Sequence, residues 1–237
     1  IVVSAFSKSW TDPRRGTLPI SWAIDPQLGE EFPALFDYFS QTAGVNDSFI
    51  SGPGGCGYVY YGRMTDPQIR SFAKRCGRLM KDYGPAVIDT FGQTSAVSNA
   101  GADSPQDQTV SLLQNFSKYA AEGGVAPQMY ISQPTGVIKY AYHACDQAKL
   151  DVWTADGTPI VCTASSGVFY VMPSIGGGKQ LAQHINTVAG NGTQFITTYG
   201  GLRWTTTTSN SKNDNLYTFW GDTIANLNDD IIAVGAQ

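Results

Sequence analysis

Three aspartates of this sequence fall at or near the ends of segments that read as β-strands: Asp25 after Leu18–Ile24, Asp47 ahead of Phe49–Ser51, and Asp89 after Ala86–Ile88. Carboxyl groups at the rim of an α/β sheet suit acid-base chemistry. Hydrolysis of a glycosidic bond generally takes two of them, about 5 to 9.5 Å apart, one held protonated by its surroundings. Asp89 is placed most like an active-site residue of an α/β barrel, at the carboxyl end of its strand. Asp25 precedes Pro26 and serves equally well as the cap of the helix behind it. Asp47 lies before its strand and inside an Asn-x-Ser sequon, which favours a turn role. Glu30 and Glu31 sit in the first turn of a helix, where the macrodipole accounts for them.

Other reactions find fewer residues. His143 follows the β-rich run Val137–Tyr142 and could serve as acid, base or ligand, although a lone histidine is more commonly structural; His184 sits within a helical stretch. A serine nucleophile would need a G-x-S-x-G elbow, and a metal-dependent deacetylase an aspartate with a spaced histidine pair. Neither pattern occurs. The glycine stretch Gly52–Gly57 is not followed by Lys-Ser/Thr and does not open a helix, which argues against phosphate and dinucleotide binding. No cofactor and no metal are expected. Arg203 and Trp204, after Gly200 and Gly201, suit a saccharide platform, with the indole stacking on a sugar face and the guanidinium reaching hydroxyls or carboxylates. A tryptophan closing the bottom of a barrel is the equal alternative.

The elements that must hold these residues alternate short β-rich runs with amphipathic stretches, the pattern of an α/β fold with a parallel sheet. Strands are expected at Ile1–Phe6, Leu18–Ile24, Asp47–Ser51, Ala86–Asp89, Pro127–Ser132, Val137–Tyr142, Gly167–Val171, Gln194–Tyr199 and Ile231–Val234. Helices are expected at Gly29–Thr42, with Phe32, Leu35, Phe36 and Phe39 on one face, at Thr109–Ala121, at Lys179–Ala189 and at Asn215–Asn226. Thr65-Asp66-Pro67-Gln68 opens another, which turns Ile69, Phe72, Ala73, Cys76, Leu79 and Met80 inward and stops at Gly84-Pro85. The order predicts an α/β fold, barrel-like with irregular units, in a single domain over residues 1–237.

Composition narrows the partners. Charged residues make up 14% of the chain, against about 25% in an average soluble domain. The net charge is −4, and no basic patch offers the phosphate neutralisation that nucleic acid needs. The longest apolar run, near Gly167–Met172, falls far short of the roughly 20 residues of a membrane span. The chain opens at Ile1 in an apolar stretch, from which removal of a leader or of an upstream domain is expected. Sequons at Asn46, Asn115 and Asn191, with cysteines at Cys56, Cys76, Cys145 and Cys162, fit a secreted glycoprotein with disulfides. Four cysteines allow three pairings, which the sequence leaves open.

The segment Asn46–Tyr60, with Gly55, Gly57, Tyr58 and Tyr60 in register, resembles the signature that names the GxGYxYP family. Tyr61 stands where that signature ends in Pro, and Leu18–Pro26 is similar to the family's run ahead of the motif. Together these cover roughly the first quarter of the chain. The resemblance implies a C-terminal α/β domain, often preceded by others, to which glycan hydrolysis is ascribed without an agreed set of catalytic residues. From the residues themselves, a strand ending in Gly52-Pro53-Gly54-Gly55 makes a sharp turn at the carboxyl edge of the sheet, where α/β folds bind ligands. Tyr58, Tyr60 and Tyr61 would lie at that rim, to stack on sugars or to pack the loop. The leading expectation is a secreted glycoside hydrolase that uses Asp89 and Asp25, with Tyr58, Tyr60, Arg203 and Trp204 around its carbohydrate. The other is a noncatalytic assembly module of a surface glycoprotein that associates with itself or with upstream domains of its precursor.

Overall fold

The computed structural model describes residues 9–52, 54–59, 61, 64–91, 106–133, 151–153, 157–162, 178–189 and 216–235. Five strands run parallel: β1 Ile20–Ile24, β2 Asp47–Ser51, β3 Val87–Phe91, β4 Met129–Gln133 and β6 Pro159–Cys162. β5, Asp151–Trp153, pairs antiparallel with β6, so the sheet is ordered β1-β2-β3-β4-β6-β5. The fold is therefore mixed α/β around a predominantly parallel sheet. Among the described residues β1 and β5 do not pair. The strands expected at 1–6, 137–142, 167–171 and 194–199, on which barrel closure would depend, lie outside the described residues.

Alternation along the strands separates two faces. Trp22 and Ile24 of β1 pack with Trp10 and Phe39, while Ile88, Tyr130 and Ile160 of β3, β4 and β6 pack with Ala73, Cys76, Leu79, Leu113 and Phe116. These residues face the helices. Ala23, Ile50, Val87, Met129 and Ile131 form the cluster on the opposite face. The register sets Val87 beside Met129 and Asp89 beside Ile131, which puts Asp89 on this second face.

Helices α1 Gln27–Glu31 and α2 Pro33–Thr42 replace the single helix expected over Gly29–Thr42. The break falls at Phe32, with φ −136° and ψ 62°, because the ring of Pro33 bars its predecessor from helical geometry. Phe39 is buried and Leu35 and Phe36 pack on the same cluster as expected, but Phe32 is swung out to 59% exposure.

Helix α3, Asp66–Tyr83, begins where the punctuation placed it: the Thr65 backbone N–H donates to Gln68 Oε1 at 2.8 Å. It buries Ile69, Ala73, Cys76, Leu79 and Met80. Its partner α4, Gln106–Gly123, crosses it at backbone contact, since a Cβ built on Gly77 would lie 1.9 Å from the Ala120 carbonyl oxygen. Further on, α5 Gly178–Ala189 and α6 Leu216–Ile224 share a cluster of Leu181, Ile185 and Phe219. α6 also sends Tyr217 into the cluster under β1.

The strand expected at Ile231–Val234 does not form. Only Ile231 packs, against the α5–α6 cluster, while Ile232 and Val234 are 82% and 75% exposed. The run is apolar and rich in β-branched residues, which resembles a strand in sequence, but it pairs with none of the described strands. β5 and β6, conversely, were not expected; three- and four-residue strands give too short a period to register.

Candidate functional site

One turn joins the carboxyl ends of β1 and β2 to the middle of β3. Gly52 donates its N–H to the Ile24 carbonyl at 3.1 Å, Gly55 to the Gly52 carbonyl at 2.8 Å, and Gly54 to the Asp89 carbonyl at 2.8 Å. Gly54 and Gly55 adopt φ of 83° and 92°, a region that side chains disfavour. A Cβ on Gly54 would also come within 2.5 Å of the Gly57 carbonyl. These residues could therefore not be replaced without moving the turn off the strand ends.

Two bolts fix the turn to the helix layer. Cys56 and Cys76 form a disulfide, with Cα atoms 5.2 Å apart, that ties the turn to the middle of α3. The Tyr61 hydroxyl donates to the Gly54 carbonyl at 2.7 Å, and its ring packs against Phe116 and Phe72. Tyr61 is 1% exposed, so the expected place at the rim is corrected: it is a core residue, held there by burial of its ring against two phenylalanines. Burial also pushes its phenol well above the ordinary range, with Tyr130 and Asp89 nearby adding to the shift. Tyr58 projects outward at 60% exposure, and Tyr60 lies outside the described residues.

Ile24 pairs with Ser51 and Ser51 with Ile88, so the residues that follow, Asp25, Gly52 and Asp89, are level across three adjacent strands. Asp89 is completely buried, and the strand end expected there is corrected: it is the third of the five residues of β3, which continues through Thr90 and Phe91 because these pair with Ser132 and Gln133. Asp25 is half-buried and accepts the Gln27 N–H at 2.9 Å through Oδ1. Burial pushes its carboxyl above the ordinary range; that hydrogen bond opposes the shift, Glu31 adds to it, and Arg75 reduces it. The cap of α1 is Pro26, so Asp25 stands one residue ahead of it, where its side chain holds the first helical N–H while its carboxyl is raised.

Asp47 has a different fate. It accepts from Arg15 Nη1 at 2.7 Å, Trp22 Nε1 at 2.8 Å and the Gly44 N–H at 2.8 Å, at the amino end of β2 and away from the glycine turn. Arg15 was not legible as its partner, because 32 residues separate them and no sequence pattern links the two.

Of the remaining expected positions, His143, Cys145, Asn191, Arg203 and Trp204 lie outside the described residues. His184 falls in α5, as expected, and Cys162 ends β6. Asn115 is exposed on α4, whereas the Asn46 side-chain amide donates to the Gly16 carbonyl at 2.7 Å. Among the described residues no cluster of three or more His, Cys, Asp or Glu could hold a metal, and no helix is long and apolar enough to cross a membrane.

Residues 1–212 match the sequence profile of the GxGYxYP putative glycoside hydrolase C-terminal domain. A solved structure of a putative hydrolase from Bacteroides thetaiotaomicron VPI-5482 is similar in fold, with a TM-score of 0.65 and 14% sequence identity. The similarity covers 97% of this chain but 39% of that one, so the present chain spans well under half the length of its structural neighbour. No curated protein matches the sequence. With the profile match running through the glycine turn and all the described strands, the chain belongs to the GxGYxYP family and corresponds to its C-terminal domain.

Proposed function

We propose that this domain is an extracellular, carbohydrate-active module that hydrolyses glycosidic bonds with Asp25 and Asp89. The observation that carries the reading is their shared level across three adjacent strands, just past the ends of β1 and β2 and at the middle of β3, with Gly52 between them. Two strand spacings separate their backbones by about 10 Å. That accommodates a carboxyl pair with a water between, which resembles the inverting arrangement more than the closer retaining one. Asp25, raised by burial, is suited to donate a proton to the leaving glycosidic oxygen. Asp89 would take the proton of the attacking water. Because Asp89 is fully buried, a sugar reaches it only if its cover shifts.

Several further assignments rest on the same reading. Tyr58, exposed beside the turn, offers an aromatic face to a sugar ring, and Tyr60, Arg203 and Trp204 complete the proposed binding residues. The disulfide supports an oxidising, extracellular setting. Exposure of Asn115 makes it the better glycan acceptor of the two described sequons. Residues 1–237 are proposed to act as one domain of a longer protein.

The test is a glycan-library screen of the purified protein beside its Asp25→Asn and Asp89→Asn variants. Either substitution is expected to lower turnover by about 100-fold or more. Asp25→Asn should retain much of its rate on activated aryl glycosides such as nitrophenyl glycosides, whose acidic leaving groups need no proton. Silence of a folded wild-type protein across the library would overturn the hydrolase and favour the noncatalytic assembly module.

A further inference from the structure

The glycine turn touches both proposed carboxylate positions, and one buried hydroxyl secures it. Gly54 sits between two hydrogen bonds: its N–H holds the Asp89 carbonyl at 2.8 Å, and its own carbonyl receives the Tyr61 hydroxyl at 2.7 Å. The same turn reaches β1, since a Cβ on Gly52 would lie 3.4 Å from the Asp25 backbone nitrogen. The Tyr61 ring does not need its hydroxyl to stay in place, because Phe116 and Phe72 pack against it with centroids 5.0 and 6.4 Å away.

We infer that Tyr61 is a positioning residue, whose hydroxyl fixes the Gly54 peptide and through it the backbone that carries Asp89. The inference deepens the hydrolase reading and rests on it for its catalytic consequence. It concerns a position at which this chain departs from its family's signature. A proline could fill part of the same space but has no donor for the Gly54 carbonyl. Here the hydrogen bond does by direction what a rigid ring would do by restricting φ. A buried carbonyl deprived of its donor gives up a net hydrogen bond, enough to shift a local opening equilibrium by about tenfold. Displacement of a reacting group on the ångström scale costs about 10- to 100-fold in turnover.

Tyr61→Phe removes the oxygen and keeps the ring. Amide hydrogen exchange of the full protein is expected to accelerate about tenfold at Gly54, with α3 and α4 amides unchanged. On whichever glycan the screen identifies, kcat should fall about 10-fold or more while KM stays within about twofold. A variant that is merely less stable would speed exchange throughout the core and leave kcat of the folded fraction intact. Unchanged exchange at Gly54 overturns the proposal. So does wild-type kcat in Tyr61→Phe when Asp25→Asn and Asp89→Asn are inactive, an outcome that leaves the hydrolase reading standing. If the wild type cleaves no glycan, the hydrolase reading fails, and the exchange rates alone still decide whether Tyr61 holds the Gly54–Asp89 contact.

Discussion

Asp25 and Asp47 are the same residue type at opposite ends of neighbouring strands, and their surroundings set them to different tasks. Asp25 has its carboxyl raised by burial, so protonation favours the folded state below the unfolded carboxylate range and that contribution is lost as pH rises through the raised value. Asp25→Asn keeps an oxygen for the Gln27 N–H and removes the titration. Thermal scans from pH 3 to pH 7 are expected to find the variant as stable as the wild type or more so at pH 7, with that advantage shrinking as the pH falls. Asp47 is instead saturated by three N–H donors, with its side chain 1% exposed beside Arg15 at 21%. Asp47→Ala should destabilise by about 3 kcal/mol in urea titration, through the buried donors it abandons, without lowering kcat. The sequence allowed both aspartates to be singled out, since each lies beside a recognisable strand. It could not say which would be locked in an ion pair, because that depends on Arg15 and Trp22, which meet Asp47 only through the fold.

At the scale of elements, legibility followed punctuation. α3 was readable because Thr65, Pro67 and Gly84-Pro85 act locally on the backbone, and β2 because polar turns bracket it. The α1–α2 break was written in Phe32-Pro33 but outvoted by the aromatic periodicity on either side of it. The β-branched run at Ile231–Val234 misled, as composition reports the capacity to pair and not the presence of a partner. The glycine turn could be placed at the sheet edge, but not Tyr61 beneath it. Two substitutions probe the layer above. Gly77→Ala would drive a methyl into the Ala120 carbonyl, and an overpacking loss of about 2 kcal/mol or more is expected by denaturant unfolding. Replacing both Cys56 and Cys76 by serine frees a loop closed across 20 residues, which should cost about 3 kcal/mol and lower the apparent Tm.

Across the whole molecule, residues distant in sequence close the layer beneath the first strand. Tyr217 donates its hydroxyl to the Ser9 carbonyl at 2.9 Å across 208 positions, and Arg14 Nη1 donates to Thr218 Oγ1 at 2.8 Å. Tyr217 completes a cluster whose other buried aromatic residues are Trp10, Trp22 and Phe39. On a ribosome, those three aromatic side chains emerge long before the tyrosine that seals them. The Cys56–Cys76 half of the domain can pack from nearby sequence, but the tryptophan half must wait with an apolar surface uncovered for the time that some 200 residues take to be synthesised. In a cell this domain should therefore depend on holding factors during synthesis more heavily than its finished stability would suggest.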